Sequence, residues 1–368
     1  MSFHLLLEIT ALLYLVELAF YSYAGFVARR TPKQSGLSTP LPKVSVVVAA
    51  KDEEKNLPSC IGSLIKIDYP NELIEIIIVN DQSTDATATV IENATKKFKN
   101  IIRVDAKESP TLRGKVNALS QGIDAAKGEY VFLTDADCIV HPTWVRETLK
   151  YFGDKTGLVG GVTLIANANK TVHGIQAVDW DFLLSIGAGA ATLEKPVACL
   201  GNNLVFRKKA YEEVGGYRKI KFSVTEDFAL FKAIASSGRW AYSFPMDRLT
   251  LVETLPVNSV MEVFSQRKRW ATGGKETGLF GFLTLAPGFF FHWLIILSLL
   301  FSIQDFVPFF LLKILSDAIF VFPTLRLYGK IAHLKFMVYF EIYYLMYVAI
   351  LPFSVYFGKA IMWKGRKY

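Results

Sequence analysis

Cysteine is scarce in this chain: three residues in 368, Cys60, Cys138 and Cys199, with no Cys-x-x-Cys pair. That spacing offers neither a disulfide framework nor a structural zinc site, and it fits a reducing compartment. No internal repeat and no low-complexity tract is present, which sets aside repeat architectures. No basic run is interleaved with aromatics at a recognisable motif spacing, so the net charge of +8 does not point to nucleic acid. It fits a membrane protein with basic segments beside its membrane ends, where positive charge marks the cytoplasmic side and attracts anionic lipid. No basic segment precedes the first apolar stretch and no small-x-small cleavage site stands out. An uncleaved anchor is expected rather than a signal peptide.

Apolar residues are abundant, 52% of the chain, and the mean hydropathy is positive. The excess sits in the first thirty residues and the last ninety. Leu5–Val27 is long enough to span a bilayer and is followed by Arg29 and Arg30. Within it, Glu8 can lie at the interface, whereas Glu17 is nearer mid-span and should face protein. Leu279–Ile303 and Met337–Ile361 are strong spans. Phe306–Leu325 is weaker, interrupted by Lys313 and Asp317, and reads either as a fourth span or as a re-entrant or interfacial helix. The expected organisation is a transmembrane helix over 1–28 and a linker over 29–42, with three prolines in Thr31–Pro42. A catalytic domain follows over 43–257, then an interfacial helix over 258–278 and about three transmembrane helices over 279–368.

From Lys43 to about Trp240, β-rich runs alternate with helical patterns. Val44–Ala50, Ile74–Val79, Tyr130–Thr134 and Leu158–Leu164 are the strands; Leu57–Ile67, Ala86–Phe98, Val116–Ala126 and Trp144–Tyr151 are the helices. Such alternation implies a parallel α/β sheet whose ligands lie at the carboxyl ends of its strands.

Acidic residues gather where those strands end. Lys51-Asp52-Glu53-Glu54 follows the first strand and Asp81 follows the second; a strand-end aspartate is often only a cap, but two on neighbouring strands suit a nucleotide cleft. Asp135-Ala136-Asp137 ends the third. If the backbone stays extended its two carboxylates point the same way and repel. A hard divalent cation, Mg2+ or Mn2+, relieves that repulsion and can share diphosphate oxygens; a solvated turn is the plainer reading. Thr225-Glu226-Asp227 opens a helical pattern: either Thr225 caps it, or one acid serves as general base for an acceptor hydroxyl. In Gln266-Arg267-Lys268-Arg269-Trp270, residues Gln266, Arg269 and Trp270 share one helix face, while Arg267 and Lys268 are expected to point elsewhere. Arginine suits diphosphate oxygens and an indole suits a sugar ring. A snorkelling basic and aromatic belt is the alternative.

Together these five segments resemble the family 2 glycosyltransferases, especially the membrane-integrated branch of cellulose, chitin and hyaluronan synthases and ceramide glucosyltransferase. The resemblance covers about Val44 to Trp270 and the flanking membrane layout. It implies a GT-A fold, a Rossmann-like, mostly parallel sheet with flanking helices beside an α-helical transmembrane region, and transfer with inversion. It implies nucleotide or donor contacts from Glu53, Asp81, Lys115, Asp135, Gln266, Arg269 and Trp270, and metal contacts from Asp135 and Asp137. Asp227, with Glu226 beside it, is implied as the catalytic base. Gly201, Asn202, Asn203 and Trp270 fall near the acceptor. Lys115 comes from the segment Arg113-Gly114-Lys115. One position departs: Asp52 stands where many members carry asparagine.

The expected partners are a nucleotide-sugar, which the resemblance implies is a UDP-sugar, a lipid or lipid-linked acceptor, and membrane lipids, with no nucleic acid and the oligomeric state left open. The apolar stretch His173–Leu193 is either an acceptor entry or a buried core helix. A processive polysaccharide synthase is the nearest rival; a nucleotide-binding transporter and an inactive binding protein are rivals of another class. Arg29-Arg30 and the basic loop Arg326–Lys335 predict a cytoplasmic catalytic domain, with the sequons at Asn93 and Asn169 unmodified. The basic tail Lys364–Lys367 conflicts with three C-terminal crossings unless Phe306–Leu325 does not cross.

Overall fold

The computed structural model describes residues 2–33, 40–194, 200–274, 278–356, 362–363 and 366–367. Cys199, residues 34–39 of the linker, and Lys364 and Gly365 of the tail lie outside the described residues. In chain order come α1 (Phe3–Ala28), β1 (Val44–Ala50), α2 (Leu57–Leu64), β2 (Ile74–Asn80), α3 (Thr87–Lys97), β3 (Ile101–Asp105), α4 (Gly114–Ala125), β4 (Tyr130–Asp135), β5 (Cys138–Val140) and α5 (Trp144–Leu149). Then follow β6 (Thr156–Gly160), β7 (Thr163–Ile165), α6 (Thr171–Thr192), β8 (Leu204–Arg207), α7 (Lys208–Glu213), α8 (Gly216–Lys219), α9 (Glu226–Ala235), β9 (Ala241–Ser243) and β10 (Val252–Thr254). The last helices are α10 (Val260–Gly274), α11 (Gly278–Phe301), α12 (Ile303–Tyr328) and α13 (Met337–Tyr356).

The chain forms two compact units. One comprises residues 29–164, 198–255 and 362–368; the other comprises 1–28, 165–197 and 256–361. The first is α/β. Its main sheet has the order β3-β2-β1-β4-β8-β6-β9, with β5-β10-β7 as a small second sheet. β1 pairs in parallel with β2 and β4, while β8 runs antiparallel to β4 and β6. The pleat of β1 sends Val44, Val46 and Val48 into one core and Val47 into the other, so the sheet is covered on both faces. The expected strand Leu158–Leu164 is instead two strands in different sheets, β6 and β7, parted at Gly160 and Gly161. A Cβ at Gly161 would lie 2.4 Å from the Asn203 amide, so only glycine passes there.

The second unit is helical. The boundary 43–257 expected for one domain runs through both units, because α6 packs with α1, α12 and α13 rather than on the sheet. The reason is chemical: α6 is buried nearly all round, and a helix apolar on every side needs helices about it. Phe182 of α6 meets Phe320, Phe340 and Tyr344. Four helices are long and apolar enough to cross a membrane: Phe3–Ala28, Leu283–Phe301, Ile303–Tyr328 and Ile331–Tyr356. On α1, Leu7, Ala11, Tyr14, Leu18 and Tyr21 form the inward stripe, and Glu17 lies beside it, half-buried. The interruption at Lys313 and Asp317 is internal to the unit. Both side chains are buried, Lys313 Nζ donates to Asp317 Oδ2 at 2.7 Å and also to Glu341, and Tyr14 Oη donates to Asp317 Oδ1 at 2.7 Å.

Candidate active site

Strand register brings the acidic segments of the α/β unit to one edge. Ala50 pairs with Asn80 and Ala49 with Asp135, so β1, β2 and β4 end together. The strand order steps to either side of β1 here, which is the switch point where open α/β sheets bind ligands. The loops after β1 and β2 are laced. Asp52 Oδ1 accepts from the Thr84 backbone N–H (2.7 Å), Glu53 N–H donates to Thr87 Oγ1 (2.7 Å), and Glu54 N–H donates to Asp85 Oδ2 (3.1 Å). Asp52 and Gln82 adopt positive φ, 52° and 57°, a backbone cost these loop bonds hold in place. Asp52 therefore has a structural partner in this chain. Asp81 is buried beyond β2, its N–H donating to the Ala50 carbonyl at 2.8 Å.

β4 stops at Asp135, and a turn at Ala136 and Asp137 leads into β5 of the other sheet. The Asp-x-Asp pair is thus joined across a turn, in place of the extended backbone on which the sequence argument relied. The two carboxylates still act on one another. Burial first, and then the charges of Asp135 and Glu53, raise the Asp137 carboxyl to about 6 against the opposing pull of Lys115.

Lys115 is the link that joins the motifs. Its Nζ lies 2.6 Å from Asp135 Oδ1 and 3.3 Å from Glu226 Oε1. Burial pulls its ammonium down, but Asp135 and Glu226 more than offset this and hold it above the usual lysine range. Gly114, at φ +58°, makes the turn that opens α4 just ahead of Lys115. On the next residue of the Thr-Glu-Asp motif, Asp227 Oδ2 accepts from Gly201 N–H (2.7 Å) and Oδ1 accepts from Phe228 N–H (2.8 Å). Thr225 occupies the N-cap position of α9 without a side-chain cap bond. The capping explanation of the motif therefore fails for Thr225.

Asn202 and Asn203 have framework partners. Asn203 is 1% exposed; its amide donates to the Val162 and Thr250 carbonyls and accepts from Trp144 Nε1. Asn202 Oδ1 accepts from Thr163 Oγ1. These bonds tie the segment ahead of β8 to the link between β6 and β7, and Gly201 touches Asp227 directly.

Gln266, Arg269 and Trp270 lie on α10 of the helical unit. Arg267, expected to turn away, is the most buried residue of its segment: it pairs with Asp179 and stacks over Trp270 at 4.1 Å. The sequence reading also missed Gln176 and Asp179 of α6, and took Trp180 only as a candidate lining of the acceptor entry; their i, i+3, i+4 spacing was hidden inside an apolar run. Among the described residues no group of three or more histidine, cysteine or acidic side chains has metal-binding geometry.

The model of a family described as "Glycosyltransferase like family 2" matches residues 42–273. The chain belongs to this family. Among curated proteins, this family 2 glycosyltransferase is 31% identical over 245 residues to a poly-β-1,6-N-acetyl-D-glucosamine synthase of Staphylococcus aureus strain COL, covering 66% of this chain and 57% of that one. It is 29% identical over 237 residues to the synthase of the same name from Staphylococcus epidermidis, covering 63% and 55%. The chain thus spans little over half the length of the curated relatives it matches. Among solved structures it is similar to a mannosyltransferase of Pyrobaculum calidifontis in complex with GDP-mannose and Mn2+, with a TM-score of 0.61 and 17% identity, covering 93% of this chain and 99% of that one. The fold is GT-A, and the described residues include four helices long and apolar enough to cross a membrane.

Proposed function

We propose that this glycosyltransferase moves a sugar, with inversion, from a nucleotide-diphosphate donor to a lipid or lipid-linked hydroxyl at the cytoplasmic face of a membrane. The observation that carries the reading is the chain of contacts Asp135–Lys115–Glu226 beside Asp227, at the carboxyl ends of the strands. In this reading Glu53 and Asp81 bind the nucleoside, and Lys115, Gln266 and Arg269 meet the diphosphate. Asp227, aimed by two backbone N–H groups, takes the proton of the acceptor hydroxyl as its oxygen attacks the anomeric carbon. Lys115 neutralises charge growing on the leaving nucleoside diphosphate. Trp270 offers its face to the sugar or acceptor.

The carboxylates of Asp135 and Asp137 are hard oxygen donors that repel one another, which suits a hard divalent cation, Mg2+ or Mn2+, better than any thiol or imidazole metal. Asp137 would hold it with Asp135 beside it, the latter already shared with Lys115. When bound, such an ion supplies Lewis-acid stabilisation of the diphosphate leaving group. Chelation is expected to abolish turnover, Mn2+ or Mg2+ to restore it, and Asp137→Asn to lose metal-dependent donor binding. Undiminished activity in excess chelator removes the metal from the scheme.

Purified protein in detergent, offered a panel of labelled nucleotide-sugars and scored for nucleoside diphosphate release, tests the donor. UDP is the donor nucleotide expected. A second reading, a processive polysaccharide synthase, is favoured by the names of the two staphylococcal relatives. Product size separates them: a one-sugar product soluble in organic solvent supports the lipid acceptor, and a high-molecular-weight glycosidase-sensitive polymer replaces it. Cysteine accessibility at the loop Arg326–Lys335 and the absence of glycans on Asn93 and Asn169 test the cytoplasmic side.

Gly201 supplies a further check. A Cβ there would come 2.7 Å from Asp227 Cβ and 2.8 Å from Oδ2, so Gly201→Ala must displace the proposed base. Turnover is expected to fall about 10²-fold, the scale of an ångström-sized misplacement, with donor affinity retained. Equal kcat in the two proteins would detach Gly201 from the chemistry.

A further inference from the structure

α6 and α10 share the helical unit, and their contact is polar in a way an apolar core does not require. Gln176 Nε2 donates to Gln266 Oε1 (3.2 Å), while Gln176 Oε1 accepts from the Val257 N–H (2.9 Å) just ahead of α10. Arg267 Nε donates to Asp179 Oδ2. The Trp180 and Trp270 rings meet edge-on at 5.0 Å, and the Arg267 guanidinium lies over both, 5.5 Å from Trp180 and 4.1 Å from Trp270. So residues 176, 179 and 180 of one helix engage 266, 267 and 270 of the other.

Two features single out Asp179. It and Arg267 are each 1% exposed, and Nη1 and Nη2 of Arg267 have no hydrogen-bond partner among the described residues. The guanidinium is therefore held by one ion pair and two indole faces. A buried ion pair of this kind adds little net stability over apolar packing, but it fixes one geometry strictly, since either charge left alone is costly. Trp270 is clamped directly, and Gln266 through Gln176. Arg269, one residue from Trp270 on a rigid helix, turns with them.

The geometry points to Asp179 as a positioning residue for transfer: through Arg267 it sets the rotation of α10 and so the presentation of Gln266, Arg269 and Trp270. This inference rests on the donor and acceptor roles proposed above for those three residues. Asp179 itself meets neither substrate nor reacting atoms.

The test uses the full chain in detergent with Asp179→Asn, Asp179→Glu, Arg267→Gln and the double variant Asp179→Asn/Arg267→Gln. Nucleoside diphosphate release yields kcat and donor KM, and thermal unfolding is followed on the same samples. Asp179→Asn and Arg267→Gln each strand a buried charge and are expected to melt lower; the double variant removes both charges and should recover Tm. In the double variant kcat is nevertheless expected to stay about 10²-fold down, because nothing now holds α10 in register. Asp179→Glu should regain part of it. A double variant that recovers Tm and turns over at the wild-type rate overturns the proposal, as does activity that follows the folded fraction in every variant. A wild-type chain that neither binds nor turns over any nucleotide-sugar overturns the reading of the site, and the proposal with it.

Discussion

Asp227→Asn is expected to bind donor as the wild type does and to transfer sugar roughly 10²–10⁴-fold more slowly, the range a general base commands. The substitution preserves size, and the Oδ atom that remains can still accept from a backbone N–H, so α9 and the Gly201 turn should survive. What is lost is the group that takes a proton. Glu226→Gln should cost less. Its carboxylate faces Lys115 at 3.3 Å, and Lys115 keeps Asp135 at 2.6 Å. Donor affinity measured by nucleotide titration, beside single-turnover transfer, separates binding from chemistry. Normal turnover by Asp227→Asn would move the base elsewhere.

Lys313→Met is expected to destabilise the protein by about 3–5 kcal/mol, the cost of stranding buried charge by removing one partner. Lys313, Asp317 and Glu341 are all fully buried in helices apolar enough to span a membrane, where an uncompensated carboxylate finds no water. Lys313 also lies over the Tyr14 and Tyr344 rings, so α1, α12 and α13 meet on it. Thermal unfolding in one detergent is the measurement. Replacing all three charged residues by apolar ones of similar size should recover much of the loss, because no charge is then left unpaired. A Lys313→Met protein with wild-type Tm would show that the cluster is not what holds these helices.

Much of this was legible from local pattern. Strand Val44–Ala50 was read to the residue, since a continuous β-branched run ending in charge has few other meanings. The span at Ile303–Tyr328 looked weak because linear hydropathy counts Lys313 and Asp317 as exposed charges, when each is the other's partner one turn away. β3, β5, β8, β9 and β10 were missed: three of them are only three residues long, too short for a period to register.

The sequence by itself determined the family motifs, their order and the four apolar helices, because residue type and spacing along one strand or helix are local properties. It also brought Asp81 and Asp135 to strand ends, where a parallel sheet must present them. Only the tertiary structure decided which motif residues meet one another and which brace the fold. Asn202 and Asn203 became struts because their amides meet the Thr163 hydroxyl and the Val162 carbonyl far away in sequence, and Lys115 became the joint between Asp135 and Glu226. Arg267 became a buried clamp because its counter-charge, Asp179, lies 88 residues earlier on a helix that reads as plain apolar core. Such pairings are set when two elements pack, since the cost of burying a charge depends on what the other element brings to meet it.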